Sequence, residues 1–402
     1  MTANGRMDAA LYRCVPEKDV VELLRLAGFA YDTDSQSVSL TILNALKAWR
    51  EAGLAFQSGP GGRLYDPAEV VNFLKRLGLS GADSFWQERY VKTGRKLVTD
   101  LADLGSGCGF HVSFVRTFAH TPSAGRGPRL RVPLPLSDYG ETSSLQMQLP
   151  ADARSRLDDG RLEVSIGQSG PTRIALAFDY APREVKPSDE DLGLYLRPKE
   201  GLIVVTRRIT DLASSLTAKG QMSGLESVRA FWDFIFDRFI CGVVHYDQVD
   251  LQAPGDWVLS TGLYDCQLGS ALLIALCRSI GLPARMIGGH VLYGCAPTNH
   301  FWAEVYLDGN WVAFDLLSWD LSLGGKDLEW RYHFFGRVDP RLVTQRLPHQ
   351  FTGPIGVKIP TAWYMLQHPL DAGIAISLNG LDGAVVYSDE ICVSAMTGLV
   401  KA

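Results

Sequence analysis

The sequence predicts an α+β protein whose central unit is a helix-borne cysteine packed on an antiparallel sheet. Three observations predict it. The first is Gln267–Ile280, an apolar stretch closed by Gly281 with Pro283 beyond it, the stop signals of a helix. The second is the run of strand-like segments that follows, Arg285–Leu292, Phe301–Leu307 and Trp311–Leu316, the last two joined by the Asp308-Gly309 turn. The third lies upstream, where residues from about 108 to 182 form largely apolar or alternating segments separated by turn residues.

Along the chain, residues 1–100 are expected to form a small helical, docking-like domain. Asp19–Gly28, Leu40–Ala52 and Glu69–Gly78 carry helical apolar spacing, and a Gly59-Pro60-Gly61-Gly62 turn suggests a short hairpin. Helices, hairpin and helix in this order resemble a winged-helix module. Residues 1–80 hold nine Lys/Arg and nine Asp/Glu, which is no electrostatic footprint for DNA, so a packing or docking role is favoured. Residues 101–195 are expected to be an antiparallel β domain. Its strands are Phe110–Ala119, Leu130–Leu136, Leu162–Ile166 and Thr172–Phe178, and Pro182–Asp191 serves as a linker. Residues 196–350 hold the core, in which Leu225–Phe239 is a strong helix. Residues 351–402 are expected to form a C-terminal β extension around Ile374–Leu378 and Ala384–Tyr387.

Composition narrows the function classes. The chain has 402 residues, is 46% hydrophobic and 21% charged, and carries a net charge of −5. That is an ordinary globular balance with room for two or three domains, and it argues against disorder and against nucleic acid as a partner. The longest apolar run, Ala271–Cys277, is far too short to span a bilayer, and no secretory signal follows Met1. Seven dispersed cysteines with no C-x-x-C pair read as reduced thiols in a cytoplasmic protein. Asp103-Leu104-Gly105-Ser106-Gly107-Cys108-Gly109 resembles the glycine-rich loop of S-adenosylmethionine methyltransferases, but it is followed by β-like sequence where a helix is needed. No cofactor is therefore expected, and no metal, because no His/Asp/Glu cluster has ligand spacing.

One constellation carries chemistry. Cys266 stands where a glycine-bearing loop becomes a helix, and helix-start amides favour an anion, so a stabilised thiolate is expected there. A two-residue turn at Asp308-Gly309 pairs Leu307 with Asn310 and places Trp302 opposite Asp315 and His300 opposite Leu317. His300 and Asp315 then share one face as diagonal neighbours. The other face carries Phe301, Ala303, Val305, Leu307, Val312, Phe314 and Leu316, all apolar and expected to be core. The His/Asp face, with Trp302, Glu304, Tyr306, Trp311 and Ala313, is expected to be a mixed surface suited to a site. A one-residue slip would separate His300 from Asp315. A thiol, a base and an orienting carboxylate are what thiol-based acyl transfer requires.

The residues Gly262, Cys266, Arg278, Gly281, Pro283, Ala284, Arg285, His300, Trp302, Glu304, Val305, Trp311 and Asp315 resemble the core pattern of the transglutaminase-like, papain-fold superfamily. The resemblance covers about residues 200 to 320. It implies Cys266 as nucleophile, His300 as base and Asp315 as orienting residue. Of the oxyanion-stabilising donors, one would be the Cys266 N–H and the other an upstream aromatic, Tyr246 or Trp257, although each also fits simple packing. His245 and His290 are expected to be structural. As a whole, the order of helical domain, β domain, triad core and β tail resembles the Dieckmann cyclases that release tetramic acid or pyridone rings from polyketide–peptide assembly lines. That likeness implies a carrier-protein-bound or small-molecule thioester substrate, with Trp302 and Trp319 as substrate-binding residues; Trp319, Trp330, Tyr332, Phe334 and Phe335 fit a water-excluding wall and ordinary core packing equally well. A transglutaminase-like amide synthase, a cysteine peptidase or amidase, and a non-catalytic binding protein are the alternatives.

Overall fold

The computed structural model describes residues 14–17, 20, 43–44, 46–54, 56–59, 62–80, 91–105, 107–120, 129–158, 161–165, 170–183, 191–245, 248–293, 299–346 and 387–396. It is a mixed α+β molecule built on antiparallel sheets.

The central element is buried on every side. Asp265, in extended backbone, caps α6 (Cys266–Ser279) by accepting a 2.8 Å hydrogen bond from the Leu268 N–H. Residues 267–278 of this helix are all buried, the pattern of a helix enclosed within a core rather than lying on a surface. Around it pack α3 (Arg207–Leu216), α4 (Gly224–Arg238) and α5 (Pro254–Thr261), with the sheet on its remaining side. Each fully buried Leu, such as Leu272, Leu273 and Leu276, contributes about 2 kcal/mol from removal of apolar surface from water.

The sheet on that side has the order β9–β8–β7–β10, with β7 Ala284–Val291, β8 Asn299–Leu307, β9 Asn310–Phe314 and β10 Arg341–Arg346. The β8–β9 hairpin has the expected register: Leu307 pairs with Asn310, Val305 with Val312 and Ala303 with Phe314. Asp308 and Gly309 both take positive φ, +49° and +86°, as the two central residues of such a turn must. The apolar face of the hairpin is core, with Phe301, Ala303, Val305, Phe314 and Leu316 buried. The opposite face is not the mixed surface the alternation suggested. Trp302 packs with Leu136, Tyr139, Ile287 and Val343, and Glu304 is 4% exposed. A loop of the β unit covers this face, and Glu304 accepts 2.8 Å hydrogen bonds from Arg285 and from the Tyr139 hydroxyl.

That β unit holds two sheets. Strands β2 (Arg129–Pro133), β5 (Arg161–Ser165) and β4 (Arg154–Asp158) form one. In the other, β1 (Phe110–His120) and β6 (Gly170–Pro182) lie centrally, β3 (Gly140–Gln148) at one edge and β11 (Tyr387–Ala395) at the other. Two of these strands, β3 and β4, were not expected from the sequence; β3 is exposed along most of its length and so carries no apolar alternation. The described part of the tail is likewise not a separate extension. It pairs along the full length of β1, from Tyr387 with Phe118 to Ala395 with Phe110. The other expected tail segments, residues 374–378 and 384–386, lie outside the described residues. The Asp103–Gly109 loop leads from a helix, α2 (Lys92–Asp103), into strand β1, the reverse of the strand–loop–helix order a nucleotide-type loop needs. Helix α2 also crosses the expected boundary at residue 100, because Val98 and Leu101 belong to the core of the β unit.

The N-terminal residues dock through buried polar contacts. Helix α1 (Pro67–Ser80) places Asn72 so that its amide accepts from the Val243 N–H (2.9 Å) and donates to the Val243 carbonyl (3.0 Å). One turn on, the Lys75 ammonium donates to the Cys241 carbonyl and to Asp320, both at 2.9 Å. Asp66, just before the helix, meets His245 Nε2 at 2.8 Å. The Asp19–Gly28 segment lies almost wholly outside the described residues. Among the described residues no helix is long and apolar enough to cross a membrane.

Lys75→Ala would leave the Asp320 carboxylate buried without its cation. The expected loss is about 3–5 kcal/mol of unfolding free energy in urea titration, with a much smaller loss for the double variant Lys75→Met/Asp320→Leu.

Candidate active site

Cys266 is the first residue of α6, and β8 runs beside it. The backbone N–H groups of Phe301 and Gln267 are the thiol's hydrogen-bonding neighbours, so its sulfur lies against the residue that follows His300. The sequence expectation of a stabilised thiolate is not met. Burial, with the Asp265 and Asp315 carboxylates, pushes the Cys266 thiol well up, and the two amides only partly offset this. The helix start contributes donors, but removal from water outweighs them. The resting group is a thiol, so a base must take its proton when it attacks.

His300 lies on β8, 9% exposed. Its Nε2 meets Asp315 Oδ1 at 2.8 Å and Oδ2 at 2.9 Å. With Nε2 engaged by the carboxylate, Nδ1 is the ring nitrogen left for proton exchange. Asp315 follows directly after β9, where the chain leaves the ladder and its N–H donates to the Phe334 carbonyl. It is 1% exposed. Burial alone would raise its pKa, but His300 and Arg341 beside it, with the Leu317 N–H donating at 2.9 Å, hold the carboxyl well below the usual carboxylate range.

The other expected site residues are placed as follows. Trp302 and Trp319 are each 1% exposed within packed core clusters, and Trp302 stacks beside His300 at a centroid distance of 6.4 Å. They stand in packing rather than on an open substrate wall. Trp257, on α5, is half-buried against the core. Tyr246 lies outside the described residues. His245 is tied to Asp66, and His290 is buried on β7. Among the described residues no group of three or more His, Cys, Asp or Glu is placed to hold a metal ion.

Two features had no counterpart in the sequence reading. Arg341, at the start of β10 and 3% exposed, forms an ion pair with Asp315. Behind the start of α6 lies the Lys75–Asp320 pair, with the Cys241 thiol electrostatically coupled to Asp320, Lys75 and Cys266. Neither arginine nor lysine stands in a local motif, and both are brought in from elements distant in the chain.

A thiol at a helix start, an imidazole on the adjacent strand and a buried carboxylate behind the imidazole are an arrangement that can support cysteine-dependent catalysis. Residues 210–316, which span α3 to the residue after Asp315, match the transglutaminase-like superfamily, so the core of the chain is transglutaminase-like. No curated protein matches the chain in sequence. Among solved structures, a candidate cysteine protease from Cytophaga hutchinsonii is similar at 14% identity and a TM-score of 0.45, covering 73% of this chain and 92% of that one. The periplasmic domain of TgpA from Pseudomonas aeruginosa is similar at 18% identity and a TM-score of 0.29, covering 57% of this chain and 95% of that one.

The raised thiol values carry a pH dependence. Unfolded cysteines ionise near pH 8.5, whereas burial keeps Cys266 and Cys277 protonated in the fold, so the unfolded state loses protons first and stability falls as pH rises above that point. Urea titrations should show an alkaline loss of up to about 1.4 kcal/mol per pH unit for each such thiol, and Cys277→Ala should flatten it.

Proposed function

We propose that the protein is an acyl-transfer enzyme in which Cys266 is the nucleophile, His300 its base and Asp315 the residue that orients the imidazole. The observation that carries this reading is the pair of contacts from His300 Nε2 to both Asp315 oxygens, on the strand that flanks the Cys266 thiol. His300 removes the thiol proton as sulfur attacks an acyl donor. Asp315, held as an anion, fixes the ring tautomer and steadies the imidazolium that forms. The Cys266 N–H, among the first amides of α6 and without an acceptor inside the helix, is available to the developing oxyanion. The tetrahedral intermediate then collapses with cleavage of the acyl donor's own bond; the leaving group takes the proton from His300, which leaves a thioester on Cys266 and a neutral imidazole.

What resolves that thioester fixes the activity, and we favour a carbanion. In this reading the enzyme is a Dieckmann cyclase. It takes a β-ketoacyl-aminoacyl chain from a carrier-protein-bound or small-molecule thioester, and His300 then draws a proton from the methylene between two carbonyls. That carbon attacks the thioester, expels the Cys266 thiolate and closes a tetramic acid or pyridone ring. The partial burial of Cys266 against the apolar core supports this, because a thioester must be shielded from water for slower ring closure to compete. The order of domains along the chain supports it as well. The reading places the enzyme in the cytoplasm, where its thiols stay reduced. An amide synthase or a peptidase shares every step up to the thioester.

Incubation with a synthetic β-ketoacyl-aminoacyl thioester tests both levels. Intact-mass analysis should find an acyl adduct on Cys266, absent in Cys266→Ala, with a cyclic product in solution. Free acid as the sole product would replace the cyclase with a hydrolase, and no adduct at all would remove acyl transfer.

A further inference from the structure

Arg341 reaches the catalytic carboxylate from the far side of the sheet. It opens β10, which pairs with β7 (Val291 with Arg341, His290 with Leu342, Gly289 with Val343). On its other edge β7 pairs with β8, and there Gly289 lies opposite His300. Val343, Gly289 and His300 therefore share a face, and Arg341, two residues from Val343, is on it too. The residue between them on β7 is a glycine at a bulge, where a Cβ would collide with the Leu342 carbonyl. The Leu342 carbonyl takes the place a side chain would occupy, so β10 lies close against β7 at this point.

The guanidinium is held from several directions. It forms an ion pair with Asp315, its Nε donates to Asp339 at 2.8 Å, and it lies 4.7 Å from the Trp302 ring centroid and 5.2 Å from that of Phe334. The backbone is held as well, since the Tyr180 hydroxyl of the β unit donates to the Arg341 carbonyl at 2.9 Å. Its side chain is 1% exposed, so the ion pair is desolvated and little screened by salt. Asp315 thus faces the permanently charged guanidinium on one side and the His300 imidazole on the other.

We propose that Arg341 is a positioning residue for the acyl-transfer reaction: it anchors the Asp315 carboxylate against His300 and offsets part of its charge, so that the imidazole is oriented yet remains free to accept the Cys266 proton. This rests on the triad reading given above. The guanidinium beside the carboxylate offsets part of the attraction that a lone buried aspartate would exert on a proton at the imidazole. The other charged or titratable groups around the His300–Asp315 pair are Cys266 and Asp265 at the start of α6, Tyr264 before it, Tyr293 after β7, and Asp339 before β10. Burial keeps both tyrosines protonated, and Asp339 is spoken for by Arg341 and Tyr293.

The test is the rate at which iodoacetamide alkylates Cys266, followed by peptide mass spectrometry between about pH 5 and about pH 9. It requires no substrate, so it separates this proposal from the choice of reaction. In Arg341→Met the acid limb of the profile should move up by about one pH unit, and the plateau rate should fall about tenfold or more as Asp315 loses its anchor. Arg341→Lys keeps the charge but loses the Nε hydrogen bond to Asp339 that aims it, so the limb should stay in place while the plateau still falls. Thermal unfolding by circular dichroism reports whether each variant folds. A folded Arg341→Met with the wild-type profile overturns the proposal. If that variant does not fold, Arg341→Lys decides, and an unchanged plateau overturns it. His300→Ala stands apart as the control. If it leaves Cys266 alkylation unaltered, the triad reading itself fails, and the proposal with it.

Discussion

Everything at the site depends on keeping one anion inside the protein. Asp315 is 1% exposed, and an uncompensated carboxylate there would cost several kcal/mol or simply take up a proton. It does neither because three groups converge on it: the imidazole from β8, the guanidinium from β10 and the Leu317 amide just beyond it in sequence. Each comes from a different element, so the hairpin, the far strand and the turn after β9 must all be formed before the charge is tolerated. The geometry around His300 and Asp315 and the completion of this sheet are in that sense one event.

The same logic organises the periphery. Glu304 and Arg285 are both buried, and the β unit supplies Tyr139 to complete their set. Lys75 and Asp320 are both buried, and the N-terminal helix supplies the cation. In each case a flanking region finishes a polar network that the core leaves open. That explains why the flanks are docked by hydrogen bonds and ion pairs rather than by apolar patches alone. It also places residues 241–245, which lead toward Tyr246, under the control of α1 through Asn72, Lys75 and Asp66.

How much was legible depended on how local the cause was. The β8–β9 register followed from a two-residue turn and a period of two, both short-range, and so the contact of His300 with Asp315 could be anticipated. The start of α6 could be read from a cap and a stop signal. The ionisation of Cys266 could not, because its sign is set by burial, and burial is decided by elements that pack on α6 from elsewhere. Trp302 and Trp319 were read as a substrate wall because an aromatic side chain serves packing and binding equally well in a sequence. Arg341 was invisible for a different reason. A charged residue at the head of a strand is ordinary, and only the pairing of β10 with β7 gives it a partner. The partner of the tail strand could not be read because β11 matches β1 across nearly the whole chain, and no local pattern encodes such a pairing.

That last pairing has a consequence for how the molecule comes to be. β1 is among the first strands to leave the ribosome and β11 is the last of the described strands, so the outer edge of β1 stays open while most of the polypeptide is being made. An uncapped strand edge is a template for other strands, and closing so long a loop is slow. During synthesis this protein therefore passes through a stage in which its β unit is a three-stranded sheet with an unpaired margin. That margin is the part of the sheet most open to foreign strands until its own partner arrives.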